Sequence, residues 1–369
     1  MRIYAIHNGT ASRYYRLVPQ LKHLQEQGHK IILKGYDDKE MQEHIQWAHT
    51  VIIEMNDFRK SYIELKKAKK ECKKNGKKFK PEEHNIMYFA KKAGKKLIYE
   101  CDDLMHKVSK EHYNYGETKG IKNQLLWYLS TKKFLGLCDG FIAPTQKLVD
   151  VYGKYTDKAL LFPNYLDKGH WLKEHKPNTT DRIRLLWAGS TSHSGDLLKF
   201  KPIIKKLLKK YPQVQFIYIG MGGIKSSDPY ATFNYGKDFW EGIADNRESL
   251  LGVPGFAYPY TLATLHADIA VAPLEENYFN KFKSQCKYLE YSINKIPAVY
   301  QKNHYTDVID GKTGLLATTE QEWIDQISLL IENEQKRKEI GENAFKSVMD
   351  NKDIEPHLDE YKEFIESFI

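Results

Sequence analysis

Short apolar runs alternate along this chain with stretches whose apolar residues recur every three or four positions. That alternation predicts strand–helix–strand units and hence a mostly parallel, helix-covered sheet. Residues 1–6 read as a strand, after which Val18, Leu21 and Leu24 recur at helical spacing. Gly28 is a stop signal, and 29–33 returns as a strand. Further strands are expected at 50–54, 96–100 and 140–143, with a helix at 81–93.

The pattern restarts after residues 163–178, a stretch with Pro163, Gly169, Pro177 and little apolar periodicity. Residues 182–188 read as a new first strand, 197–211 as a helix, 214–220 as the next strand and 268–272 as another, which runs into a loop at Pro273. A helix at 283–294 and a strand at 296–300 follow. Thr319 with Glu322 three residues on is a capping box opening a helix. The last helix is expected at 356–369. The division that follows is a Rossmann-like domain over 1–164, a second over 165–350 and a C-terminal helix over 351–369.

One segment departs from the alternation. Ten lysines crowd residues 60–80, among them Lys69, Lys70, Lys73 and Lys74, with only Glu64 and Glu71 interspersed. It reads as an insertion over about 59–80, either a solvated helical arm or a docking site for a polyanion.

A length of 369 residues with 41% hydrophobic content suits two cores rather than one. No apolar run approaches a membrane span, and the first ten residues lack the layout of a secretory signal. Four widely spaced cysteines without a Cys/His ligand pattern fit a reduced, cytoplasmic setting and no metal site. The net charge of +9 favours polyanionic partners, DNA and an anionic membrane surface among them, or reflects a lysine-loaded surface.

In open α/β sheets ligands bind beyond the carboxyl ends of strands, so the loops there hold the candidate chemistry. The first, from Asn8 and Gly9 to Arg13 and Arg16, offers small residues for close approach and guanidinium groups for anions. After 96–100 come Asp102 and Asp103, candidate catalytic carboxylates or helix caps. Gly189, Ser190, His193 and Asp196 stand between a strand and a helix, where backbone N–H groups suit a phosphate. The full dinucleotide fingerprint is missing, which argues against NAD. From Pro273 to Pro297, Lys283, Lys287, Glu290 and Asn294 would share one helix face, beside Ser284, while Cys286, Leu289 and Ile293 face the core. Lysines near a helix start with a glutamate two turns on suit a nucleoside diphosphate: lysine for phosphate, glutamate for ribose hydroxyls.

These residues carry a resemblance. KSQCKYLEYSINKIPAV is similar to the donor-site helix and following strand of the GT-B glycosyltransferases, specifically the retaining, family-4-like group. VIDGKTGLLATTEQEW resembles that family's next block, and WAGSTSHSGDL the first loop of its second domain. YYRL and LIYECDDL look like first-domain segments of bacterial and phage members. The resemblance implies two Rossmann-like domains with parallel sheets facing across a cleft, a C-terminal helix packed back on the first domain, and no bound cofactor or metal. It also shows a departure: the family's paired glutamates lie seven residues apart, and Glu290 matches the second, but Phe282 stands at the first. Glu275 and Glu276 are candidates to substitute from the loop.

The activity implied is transfer of a hexose from a nucleotide sugar, UDP-glucose foremost, with retention. The lysines lean towards a hydroxymethylated DNA base as acceptor. A surface polysaccharide, teichoic acid or lipid-linked glycan is the alternative. A non-catalytic polyanion-binding module and a nucleotide-sugar epimerase are the competing classes.

Overall fold

A computed structural model describes residues 1–8, 12–54, 57–104, 106–108, 119–190, 193–220, 247–250 and 253–368. The first domain runs β1 (Arg2–His7), α1 (Arg13–Arg16), α2 (Val18–Glu26), β2 (Lys30–Gly35), α3 (Met41–Trp47), β3 (Thr50–Glu54), α4 (Phe58–Lys74), α5 (Ile86–Lys92), β4 (Lys96–Glu100), α6 (Ile121–Leu135), β5 (Gly140–Ala143), α7 (Gln146–Tyr152) and β6 (Lys158–Leu161). A short helix, α8 (Lys168–Trp171), lies in the connection. The second domain runs β7 (Ile183–Ala188), α9 (Ser194–Lys210), β8 (Val214–Ile219), β9 (Arg247–Leu250), α10 (Tyr258–Thr264), β10 (Ile269–Ala272), α11 (Cys286–Ile293), β11 (Ala298–Gln301), β12 (Leu315–Ala317), α12 (Glu320–Glu332) and α13 (Glu334–Asn351). α14 (Leu358–Glu366) closes the chain.

The strands form two six-stranded sheets, ordered β2-β1-β3-β4-β5-β6 and β12-β11-β10-β7-β8-β9, with every pairing parallel. This is the expected architecture. Alternating strand residues serve opposite faces. In the first sheet Tyr4, Ile6, Val51, Ile53, Leu97 and Tyr99 build one core, and Ile3, Ala5, Ile52 and Ile98 the other. In the second, Leu185, Trp187, Phe216 and Val271 oppose Leu186, Ala188, Ile217 and Ala272. Strands buried on both faces read as unbroken apolar runs, which is why they were legible.

Local rules set the helix starts. Asn85 accepts from the N–H groups of Met87 and Tyr88, which shortens the helix expected at 81–93 to α5 behind a 3-10 turn at Pro81–Glu83. The Thr319–Glu322 capping box is present as expected. The lysine-rich segment forms α4, the first of two helices in the β3–β4 connection: Asp57 caps it, and its own Phe58 and Leu65 are buried.

After α13 the chain crosses back to the first domain. Leu166 and the 352–354 segment exchange backbone hydrogen bonds, Leu166 N–H donating to Lys352 (2.7 Å) and Ile354 N–H to Leu166 (3.1 Å). Ile354, Leu358, Tyr361, Ile365 and Phe368 then complete the first domain's core. Among the described residues no helix is long and apolar enough to cross a membrane.

Candidate functional site

Each sheet has a switch point where the chain changes direction across it, beside β1 in the first and β7 in the second. The loops there, and those following their neighbours β3, β4 and β10, meet in the cleft between the domains. Both walls are lined by groups that burial has pushed from their usual ionisation.

On the first-domain wall, β3 and β4 each end in a glutamate, and the two are register partners, Glu54 and Glu100. Both are fully buried. Glu54 accepts from Ser12 Oγ (2.9 Å) and the Asn8 N–H (3.3 Å), which ties the end of β1 to the start of α1. Burial raises its carboxyl, against those two donors. Glu100 lies 2.8 Å from Arg16 Nε. Burial pushes its carboxyl up to about 8, and the guanidinium charge opposes that. Arg16 also donates to Asn164 Oδ1 at 3.0 Å. Arg16, expected to meet anionic groups, lines the cavity, but Glu100 and Asn164 hold its guanidinium from behind, which no sequence spacing reveals. Arg13 lies over the Tyr14 ring at 5.1 Å and 3.4 Å from the His7 ring nitrogens, outside the cavity lining. Gly9 lies outside the described residues.

Asp102 and Asp103 both line the cavity. Neither caps a helix among the described residues. Asp103 faces Lys283 of the other domain, 3.5 Å from Oδ2 to Nζ. Asp102 has one carboxylate oxygen buried without a hydrogen-bond partner. Burial, with the Asp103 charge beside it, pushes its carboxyl up to about 7.

On the second-domain wall, Gly189 and Ser190 leave β7. A Cβ on Gly189 would come within 2.7 Å of the Trp187 ring and 3.2 Å of Lys287 Nζ, so a side chain there would collide with the indole and crowd the site's own lysine. His193 pairs with Asp196 at 2.8 Å. Asp196 in turn accepts from Glu275 N–H (2.7 Å) and Asn280 Nδ2 (2.8 Å). It thus ties the loop after β10 in place, and burial pushes its carboxyl up to about 6. Ser190 and His193 line the cavity; Gly189, Asp196 and Pro273 do not, and Leu274 lines it where Pro273 was expected to.

The helix expected from 283 begins only at Cys286. Lys283 is extended, following a 3-10 turn at Asn280–Phe282, and this lets its side chain reach Asp103. Lys283 is therefore not on one helical face with Lys287 and Glu290; an extended link brings the three together. Nor is that face solvated. Lys287, Glu290 and Asn294 are all buried, beside Leu289 and Ile293. Burial lowers the Lys287 ammonium and raises the Glu290 carboxyl, and each one's charge resists the other's shift. Glu290 accepts from Tyr258 (3.0 Å) and, across the cleft, from Tyr15 (3.3 Å). Ser284 accepts from Asn164 Nδ2 at 2.9 Å.

These groups enclose a cavity of about 200 Å³. It adjoins a second of about 530 Å³ through shared walls at Asn164, Leu274, Lys283, Ser284 and His304. Tyr15, Asn164, Trp171, Tyr258, His304 and Tyr305 are lining residues that the sequence reading missed. Asn164 and Trp171 lie in the 163–178 connection, and no spacing in the sequence sets the others apart. Glu54 and Glu100 carried a usable signal, since each ends an apolar strand run. Glu275 pairs with Lys199, and Glu276 accepts from Asn303 at 2.6 Å; both line the larger cavity. Among the described residues no group of three or more His, Cys, Asp or Glu is placed to hold a metal. Lys69, Lys70, Lys73 and Lys74 are exposed on α4 and line neither cavity.

No protein-family profile matches the chain. No curated protein matches it in sequence. Solved structures do match in fold. HepE of Anabaena, crystallised with UDP and glucose, aligns over 100% of both chains with TM-score 0.61 and 15% identity. Sucrose-phosphate synthase from Thermosynechococcus elongatus aligns over 100% of this chain and 99% of its own, with TM-score 0.59 and 11% identity. TarM aligns over 87% of this chain at TM-score 0.54 and 13% identity, and the chain spans 57% of TarM's length. With these the protein shares the GT-B fold.

Proposed function

We propose that the protein transfers a hexose from a UDP-sugar, UDP-glucose foremost, to an acceptor hydroxyl in the cleft, with retention. In this reading residues 1–164 carry the acceptor, 165–350 the donor, and 351–369 strap the two. The observation that carries it is the convergence of Lys283, Lys287 and Glu290 from one sheet with Asp102 and Asp103 from the other on a single cavity. The likeness to HepE, whose crystals hold UDP and glucose, supports the donor class.

A diphosphate would replace Asp103 as the counter-ion of Lys283, with Lys287 and the first turn of α11 adding positive potential at the leaving group. Ribose hydroxyls would replace the tyrosine hydroxyls on Glu290. Asp102 and Asp103 then face the sugar and acceptor. Closure across Tyr15 and Glu290 keeps water from the donor.

The test is UDP titration by calorimetry. Lys283→Ala removes a charge-assisted contact of about 1.5–3 kcal/mol, a weakening of roughly ten- to hundredfold. Unchanged affinity in both Lys283→Ala and Glu290→Ala would remove the assignment. A hydroxymethylated DNA base remains a second reading of the acceptor because of the exposed lysines on α4. Labelled transfer to modified DNA, against transfer to a membrane-linked glycan, decides between them.

A further inference from the structure

Helix α6 carries an apolar stripe that the fold leaves open. Ile121, Leu125, Tyr128 and Leu129 follow one another at i, i+4, i+7 and i+8, hence on one side of the helix. They are 86%, 54%, 49% and 41% exposed. The other side, with Trp127, Ser130, Thr131, Phe134 and Leu135, is buried. Single exposed apolar residues are ordinary on any protein. Here four of the eleven large exposed hydrophobics among the described residues stand in one row, and a row of this kind marks an interaction surface.

The charge around the stripe says what covers it. α6 contains no acidic residue, and Lys122, Lys132 and Lys133 are exposed on it. α4 lies alongside: Phe58 stacks on Phe134 at 5.3 Å, and Tyr62 is approached by Lys66 at 4.5 Å and by Lys133 of α6 at 5.4 Å. α4 itself holds eight basic residues against two acidic ones. Exposed lysines of α6 therefore flank the apolar row, and Lys66 of α4 joins them at its Lys133 end.

We infer that this face docks the protein on an anionic bilayer. The apolar stripe enters the boundary between headgroups and acyl chains, and the lysines of α4 and α6 meet the lipid phosphates. Long lysine side chains can bury their stems beside the leucines and keep the ammonium among headgroups. Nucleic acid would take the lysines but offer nothing to Leu125 and Leu129. A second copy of the chain would cover the stripe but repel the lysines. Only a surface that is apolar within and anionic at its rim uses both. α6 lies between β4 and β5 in a parallel crossover, so its Ile121 end is on the sheet edge that carries Asp102 and Asp103. Docking would hold the cleft close to the bilayer.

The experiment is sedimentation of the full chain with vesicles of phosphatidylglycerol and phosphatidylcholine, against phosphatidylcholine alone. The expected result is binding to the anionic vesicles only. It is weakened roughly tenfold or more by Leu125→Ser with Leu129→Ser, and likewise by Gln at Lys69, Lys70, Lys73 and Lys74. The leucine variant should keep the parent melting temperature, since it alters surface positions. Absence of wild-type binding to anionic vesicles overturns the inference. So does a leucine variant that binds as well as the parent, which would leave the lysines to DNA. So does a solution dimer that the leucine variant dissociates without any vesicle binding. The assay contains no nucleotide sugar, so its failure is separate from failure of the transferase reading.

Discussion

Asp102 is the residue whose chemistry the fold alters most usefully. Its carboxyl is surrounded by Asp103, Glu54, Arg16 and Lys283, and burial and the Asp103 charge outweigh the cations. A raised carboxyl means that the folded state favours the neutral form. That contribution to stability is complete below the ordinary carboxylate range and is lost as pH rises through about 7. Glu54 and Glu100 are raised as well and act in the same direction. A nucleoside diphosphate brings further negative charge into the same cavity, so its binding also favours neutral Asp102. UDP affinity should therefore fall as pH climbs through about 7, and Asp102→Asn should flatten that profile and part of the pH dependence of the melting temperature. Calorimetric titration across that range checks it. An Asn variant whose UDP affinity keeps the parent's pH dependence would place the titrating group elsewhere.

At the scale of elements, the connection from β10 to α11 accounts for Phe282 standing where the sequence resemblance leads one to expect a glutamate. It drops Phe279 and Phe282 into the first domain's core beside Cys101, Leu104 and Phe141. Thr145 Oγ1 donates to the Phe282 carbonyl at 3.1 Å, which holds the turn against α7. An aromatic side chain here is interdomain packing, and a carboxylate at the same point would be buried among apolar side chains. Phe282→Glu should cost about 3 kcal/mol or more and lower the melting temperature without raising turnover, whereas Phe282→Leu should stay within about 1.5 kcal/mol. Thermal denaturation with a donor-hydrolysis assay measures both. A Glu variant of parental stability and higher turnover would restore the glutamate to a direct role. The same connection shows where the sequence stops being informative. Strand positions, the Thr319 capping box and Lys283, Lys287 and Glu290 as cavity residues follow from local patterns. The extended backbone at Lys283 does not, because it is set by two phenylalanines anchoring in the other domain. Arg16 with Glu100, and Tyr15 with Glu290, are pairs 84 and 275 positions apart whose meeting depends on the fold closing first.

At the scale of the whole molecule, the two domains are tied by the chain's own end. α14 leaves the second domain and supplies Leu358, Tyr361, Ile365 and Phe368 to the first domain's core, all at most 7% exposed. Tyr361 donates to Glu100 Oε2 at 3.3 Å, and so reaches the residue that holds Arg16 behind the cleft. The Phe368 ring packs so closely on Gly140 that a Cβ there would come within 2.7 Å. Four buried side chains of this size contribute roughly 8 kcal/mol as an upper bound, at about 2 kcal/mol each. A domain is stable by only about 5–15 kcal/mol, so losing them removes an amount comparable to the first domain's whole stability. The second domain has one core face built solely from its own residues, including Trp187, Phe216, Val271 and Trp323. Removing residues 355–369 should therefore abolish the first domain's cooperative transition and leave a second-domain transition that UDP still raises. Scanning calorimetry with and without UDP, together with amide exchange in β1 and β4, reads the two domains separately. Retention of the full-length melting profile after truncation would mean that the strap adds contact without adding stability. Loss of both transitions would mean that the second domain depends on the first to fold.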